Sequence, residues 1–370
     1  MQCLFTIGKT DRIQLEKFHP LIAILVDAAR TITRCKLSKL EHFALVSPIV
    51  SDYGSRLEYT TLQDGRKGKI LVVDNKKLWN DPSALGNPGA PLNLSAWFPG
   101  APSKVAEKLM RRIGREGHLL PALTAICVAL LGELYTTTSS AGSSQVRKRL
   151  QYRTSPIADF GIAKGSVRVP EYDRLIYQKL SDGSYIMGQD PDEHYWLYFT
   201  TIRGEEVILD LGMYTFNMCI MIAIEPYSVP TTSHWLGNSV PGYFLHREIR
   251  KTGPHLKLHT ERKRISALRH PALQRAVVHL DHAIDDDEVK DIVSFMQEIA
   301  ERPVVDPSLE VELACTAAMD NCVHLARVLD NREWESYPDS PTIGFDLDPG
   351  QEVNWDDIPE VPRRGFARRQ

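Results

Sequence analysis

A chain of 370 residues, 43% hydrophobic and 25% charged, has the composition of a globular protein and enough length to bury a core without disulfide or metal staples. Its formal net charge of -3 excludes a global field that would draw in nucleic acid or an anionic membrane, so either partner would need a local patch. The most apolar windows, "HPLIAILVDAARTI" and "MCIMIAIEPY", fall short of the roughly 20 residues of a bilayer-spanning helix, and no membrane span is expected.

The opening "MQCLFTIGKTDR" lacks the basic segment and apolar run of a secretory signal. Six thinly spread cysteines (Cys3, Cys35, Cys127, Cys219, Cys315, Cys322) are then expected as reduced thiols in the cytoplasm or nucleus. From Gln14 to Thr33, Leu15, Phe18, Leu21, Ile22, Leu25, Val26 and Ala29 recur at helical period. Three β-like runs follow, "FALVSPIV", "RLEYTTL" and "KGKILVVDN", the last two joined as a hairpin by "QDGRKGK". The Pro, Gly and Asn of residues 80–103 mark a long loop anchored by Trp97 and Phe98.

"SKVAEKLMRRIGREG" reads as a helix with Ser103 as N-cap, and "LPALTAICVALLGELY" as a central helix, apolar nearly all round, with Pro121 in its first turn. "TTTSSAGSSQ" is low in complexity and puts a flexible insertion at 136–156. "HYWLYFTTI" and "EEVILDLGMY" read as two strands joined by a tight turn at Arg203-Gly204, with "CIMIAIEPY" as a third. The last third is helical: Asp285 and Glu288 have capping-box spacing ahead of Val289, Ile292, Val293, Met296 and Ile299, and "SLEVELACTAAMDNCVHLARVL" follows. The expected fold is α+β, a mixed or antiparallel sheet of the early strands and the central hairpin packed by helices. One domain over 1–336 precedes a mostly disordered tail at 337–370.

The hairpin carries the candidate chemistry. A thiol hydrolase or acyltransferase needs a cysteine whose pKa is lowered by a histidine, and a third polar group that fixes the imidazole. His194 opens the first strand and Asp210 closes the second, so antiparallel pairing of these two residues would bring them side by side, with Trp196 on the same face. This arrangement resembles the transglutaminase-like and arylamine N-acetyltransferase-like families, papain-like folds with a Cys at the start of a buried helix and His and Asp on following strands. The resemblance covers about thirty residues and implies His194 as base and Asp210 as its orienter. The upstream candidate nucleophile, Cys127, departs from the pattern: it lies well inside its helix between Ile126 and Val128, where burial raises a thiol pKa. Separately, "HYWLYFTTIRGEEVILDLGMYTFNMC", "AWFPGAPSKVAEKLMRRIGREG" and "ERKRISALRHPAL" are similar to uncharacterised proteins of mushroom-type fungi. Some of those carry a MYND zinc finger, for which this chain has no Cys-x-x-Cys ligands.

Other clusters have ordinary explanations. Cys315 and Cys322, seven apart, form one buried helix stripe, with His324 beside it. His279 and His282 precede an acidic helix cap. The basic run Arg247–Arg275, with Arg262, Lys263 and Arg264, could meet phosphates, but a solvated helix face is the simpler account and no aromatic interleaving points to nucleic acid. "GIAKGS" and "GNSVPG" lack the spacing of a phosphate loop and a nucleophile elbow. The leading expectation is a non-catalytic intracellular binding or scaffolding protein with a papain-like remnant hairpin, a protein partner, no cofactor and no metal site. Its rivals are a thiol-dependent hydrolase or acyltransferase using Cys127, His194 and Asp210, and phosphate binding through the basic run.

Overall fold

The computed structural model of the protein describes residues 10–36, 59–73, 103–135, 147–218, 220–227, 239–252, 257–278, 284–304 and 308–346. The expected strand "FALVSPIV", Trp97, Phe98, Cys3, Cys219, His279, His282 and residues 136–146 lie outside them. A short strand β1 (Thr10–Gln14) leads into α1 (Leu15–Lys36), whose apolar stripe from Leu15 to Val26 is buried as its period requires. β2 (Tyr59–Thr61) and β3 (Lys67–Val73) form the expected antiparallel hairpin. After α2 (Ser103–Ile113), helix α3 (Leu119–Leu130) buries all twelve of its residues. Leu120, Leu123, Ile126 and Leu130 each contribute about 1.5–3 kcal/mol by leaving water.

Next come β4 (Arg147–Tyr152), the long β5 (Ser155–Val167), β6 (Leu175–Lys179), β7 (Tyr185–Met187), β8 (His194–Thr201) and β9 (Glu206–Asp210). They are followed by β10 (Ile220–Ala223), β11 (Ser239–Pro241), β12 (Tyr243–Leu245), α4 (Arg247–Thr252) and β13 (His259–Ser266). α5 (Pro271–Ala276), α6 (Asp286–Ala300), α7 (Leu309–Asp330) and β14 (Ile343–Phe345) complete the described chain. The capping box of α6 is formed as read, with Asp285 accepting from the backbone of Asp287 and Glu288 and the Glu288 side chain accepting from the Asp285 N–H.

The fold is α+β, with mixed and antiparallel sheets packed by helices and a helical C-terminal region. The central sheet runs β1-β4-β5-β8-β9-β12, with β13 on the free edge of β5, and all its pairings are antiparallel except β1 with β4. Contrary to the expectation from sequence, β2 and β3 do not join the central hairpin. β2 and β3 form a separate sheet with β6 and β7, and β10 pairs with β11 and β14 in a third. The supposed insertion is also structural from residue 147 onward, since β4 and the start of β5 belong to the central sheet. The stretch assigned to the tail contributes β14 and the buried Tyr337, which packs edge-on against Tyr227.

Two faces of the central sheet follow from strand alternation. Leu197, Phe199, Val207 and Leu209 point into the cluster shared with α1, α3, α6 and α7, whereas Trp196, Tyr198 and Ile208 point to the other side, with Met213, Phe216 and Tyr243.

Candidate functional site

β8 and β9 turn through Arg203 and Gly204 as predicted, but pair Leu197 with Leu209 and Thr200 with Glu206. That is two residues out of step with a direct His194–Asp210 pairing. Because side chains alternate with period two, a slip of two keeps both residues on the face they were expected to share. Their contact survives: His194 Nε2 lies 2.7 Å from Asp210 Oδ2. On the same face His194 lies against Phe216 and Trp196.

A third residue, absent from the sequence reading, completes the site. His259, the first residue of β13, directs its own Nε2 to the same Asp210 oxygen, also at 2.7 Å. Its ring meets Trp196 edge-on at 4.7 Å between centroids and sits 5.7 Å from that of Tyr243. The other carboxylate oxygen, Oδ1, accepts from the Gly212 N–H at 2.8 Å. Since an ionised carboxylate only accepts, both imidazoles carry their proton on Nε2 in this network.

Glycines build this corner. On β5, Gly165 lies opposite His194 on one side and Glu261 on the other. A Cβ there would come within 2.1 Å of the Thr260 carbonyl oxygen, so only glycine lets β13 run close enough to deliver His259. The "GIAKGS" stretch, which lacks the spacing of a phosphate loop, thus has a packing role. Gly212 is constrained less, by side chains: a Cβ would come within 2.4 Å of Leu119 Cδ2 and 2.8 Å of His194 Cε1. The first residue of α3 therefore packs against the His194 corner.

The cluster is buried: the side chains of His194 and Asp210 are 0% exposed and that of His259 1%. Burial by itself would raise the Asp210 pKa, but the neighbouring His194 and the hydrogen bonds from both histidines outweigh it and hold the carboxyl well below the usual carboxylate range. Burial, with the Asp210 charge adding to it, pushes the Tyr243 phenol up. Among the described residues, His194 Nδ1, His259 Nδ1 and Trp196 Nε1 are buried without a hydrogen-bond partner.

Cys127 is not brought to this site. It is fully buried in the helix-side cluster, and burial drives its thiol pKa far up. It sits eight residues along α3 from Leu119, about 12 Å at the helical rise, away from the end that touches His194. Trp196 is 1% exposed and packs around the histidines. The basic run includes the short α4 and strand β13, and the three cations singled out in it are engaged with acidic partners. Arg262 pairs with Glu193 at 2.5 Å, Lys263 with Glu301 at 3.7 Å, and Arg264 with both Glu206 and Glu261. Cys315, Cys322 and His324 do not converge; burial pushes the Cys322 thiol up to about 12. Among the described residues, the one group of three or more potential metal ligands is His194, Asp210 and His259.

Beside the site, the segment after β9 is tied down from the far end of the chain. Tyr214 donates to Asp346 at 2.6 Å, and Arg111 bonds the same carboxylate oxygen at 2.5 Å. No described helix is long and apolar enough to cross a membrane. Compared with models of known families, with curated proteins and with solved structures, the chain matches none.

Proposed function

We propose that the protein is a hydrolase or acyl-transfer enzyme whose reaction is centred on His194, Asp210 and His259. What supports this is the convergence of two imidazole nitrogens on one buried carboxylate oxygen, each at 2.7 Å. Burying ionisable groups is costly, and clusters of them with a strongly shifted member concentrate where protons are moved. An imidazole oriented by a carboxylate through one nitrogen, with the other unbonded, is the arrangement that takes a proton from an attacking water or hydroxyl. Cys127, buried away from the cluster with its thiol pKa raised, is replaced in this reading by a nucleophile delivered to the site. The setting is an intracellular one, cytoplasmic or nuclear, in keeping with the free Cys127 and Cys322 thiols.

The test is turnover of a panel of activated esters, thioesters and anilides by the full chain, with His194→Gln and Asp210→Asn alongside. Measurable turnover that falls by at least about 100-fold in His194→Gln is expected. A folded protein with no turnover on any of the three classes sinks the enzyme reading. Fast iodoacetamide labelling of Cys127 below neutral pH, lost in His194→Gln, would restore the thiol mechanism.

A second reading is favoured by one contact. Leu119 stands at the start of α3 against the His194 corner, which is where the resemblance to papain-like families puts a thiol. On that reading the hairpin is a remnant, and the chain is a non-catalytic binding or scaffolding protein with a protein partner. It predicts no turnover, together with a Leu119→Cys thiol that alkylates faster than Cys127, since a helix N-terminus and an adjacent imidazole both favour thiolate.

A further inference from the structure

We infer that His194, Asp210 and His259 form a binding site for a divalent transition-metal ion of the zinc type. An acid–base pair needs one imidazole on its carboxylate; here a second one, from β13, is aimed at the same oxygen. The potential ligand atoms of the three residues all lie within 4.8 Å of one another, and each residue comes from a different strand, β8, β9 or β13. Imidazole nitrogen with carboxylate oxygen is a donor set that suits zinc and its neighbours better than magnesium or calcium, which prefer all-oxygen shells.

The two histidine nitrogens, within 4.8 Å of each other, would close in by up to about 1.5 Å on an ion. Zinc–nitrogen and zinc–oxygen bonds of about 2.0–2.2 Å at tetrahedral angles separate ligand atoms by about 3.3 Å, so the 2.7 Å contacts would open by roughly 0.6 Å while the Nε2 protons leave. Binding would exchange two hydrogen bonds crowded on one oxygen for three metal bonds. With Nε2 on the metal, each neutral imidazole would carry its proton on Nδ1. Three protein ligands leave a fourth position for water, whose pKa such an ion lowers to about 7. Resting on the hydrolase reading, that water is the nucleophile which Cys127 does not supply, and in the loaded site it takes over the task assigned above to the free nitrogen of His194.

The test is titration of the chelator-treated full chain with Co2+ and Zn2+, followed by calorimetry and, for Co2+, visible absorption. One ion per chain is expected, with a dissociation constant below about 1 μM, Co2+ bands of a four- or five-coordinate site, and affinity weakened by at least about 100-fold in His259→Ala. Circular dichroism checks that the variant is folded; if it is not, the wild-type titration decides alone. A folded wild-type chain that takes up neither ion at about 1 mM, or equal affinity in a folded His259→Ala, overturns the inference. Uptake without turnover sustains the metal site and removes the hydrolase reading; turnover that survives chelation with no uptake does the reverse.

Discussion

The two faces of the central sheet are equally dry but chemically opposite. On the helix side, Leu197, Phe199, Val207 and Leu209 meet α1, α3, α6 and α7 in one apolar cluster, and within it the Cys127 thiol is held as inert SH by burial. On the other side the same strands present His194 and Asp210, joined by His259, in a polar knot with ring nitrogens left over. Burial acts in one direction on the first face, making a polarizable group behave as a hydrophobe. On the second it is overruled by charge and hydrogen bonding, and the carboxyl stays ionised. Position in a core therefore does not decide reactivity; what matters is whether the neighbours stabilise the charged form.

The largest effect should come from breaking the knot. Asp210→Ala leaves two imidazoles and the Gly212 N–H buried without their acceptor, at a cost of about 3–5 kcal/mol in urea denaturation. Cys127→Ala, on the apolar face, removes one small group from a packed site and should cost only about 1 kcal/mol. If the two variants lose the same stability, the knot has no special energetic standing and the contrast fails.

A pH titration sharpens the comparison, because each side of the sheet has its own acid-sensitive group. His19 in α1 is stacked on Phe244, which packs against the helix-side cluster. Burial, aided by the nearby His246 and opposed by the backbone of Leu15 and Glu16, lowers its pKa to about 3. Between its ordinary value of 6.5 and about 3, the unfolded chain holds more protons than the folded one. Stability is therefore full above pH 6.5 and should fall through that window by up to about 1.4 kcal/mol per unit. Asp210, with its pKa lowered, contributes stability that is present above the ordinary carboxylate value of 3.8 and is lost only as pH falls below it. His19→Gln should flatten the slope between pH 6.5 and 4 and leave the steeper loss below. An unchanged slope in the variant would mean that another group carries the acid sensitivity.

How much of this could be read from residues alone depended on the signal each element carries. The hairpin was legible because long apolar runs flank a Gly turn, and the His194–Asp210 pairing survived a register error since a slip of two preserves the face. α6 was legible from the Asp285 and Glu288 cap. His259 was not, because "HTERKRIS" shows mostly charge, and what places it is the closeness of β13 to Gly165 on β5, a non-local contact with no periodic signature. The grouping of strands into sheets was hidden for the same reason. β3 pairs with β6 in parallel across a hundred residues of chain, and neither strand's pattern names its partner.

The smallest effect is expected where sequence charge was most conspicuous. Arg262, Lys263 and Arg264 lie on β13, next to the strand start that supplies His259, yet their side chains are a third to a half exposed and already face Glu193, Glu206, Glu261 and Glu301. Ion pairs at that exposure are worth no more than about 1 kcal/mol each and weaken with salt. Neutralising the three together should leave both the midpoint of unfolding and the metal affinity of the knot nearly unchanged. A polyanion would have to displace four carboxylates to reach the cations, so heparin retention should be absent at moderate salt in the wild type and in the variant alike. Retention that the triple substitution abolishes would show that the carboxylates yield to phosphate or sulfate. The face would then be a polyanion surface with the knot buried beneath it.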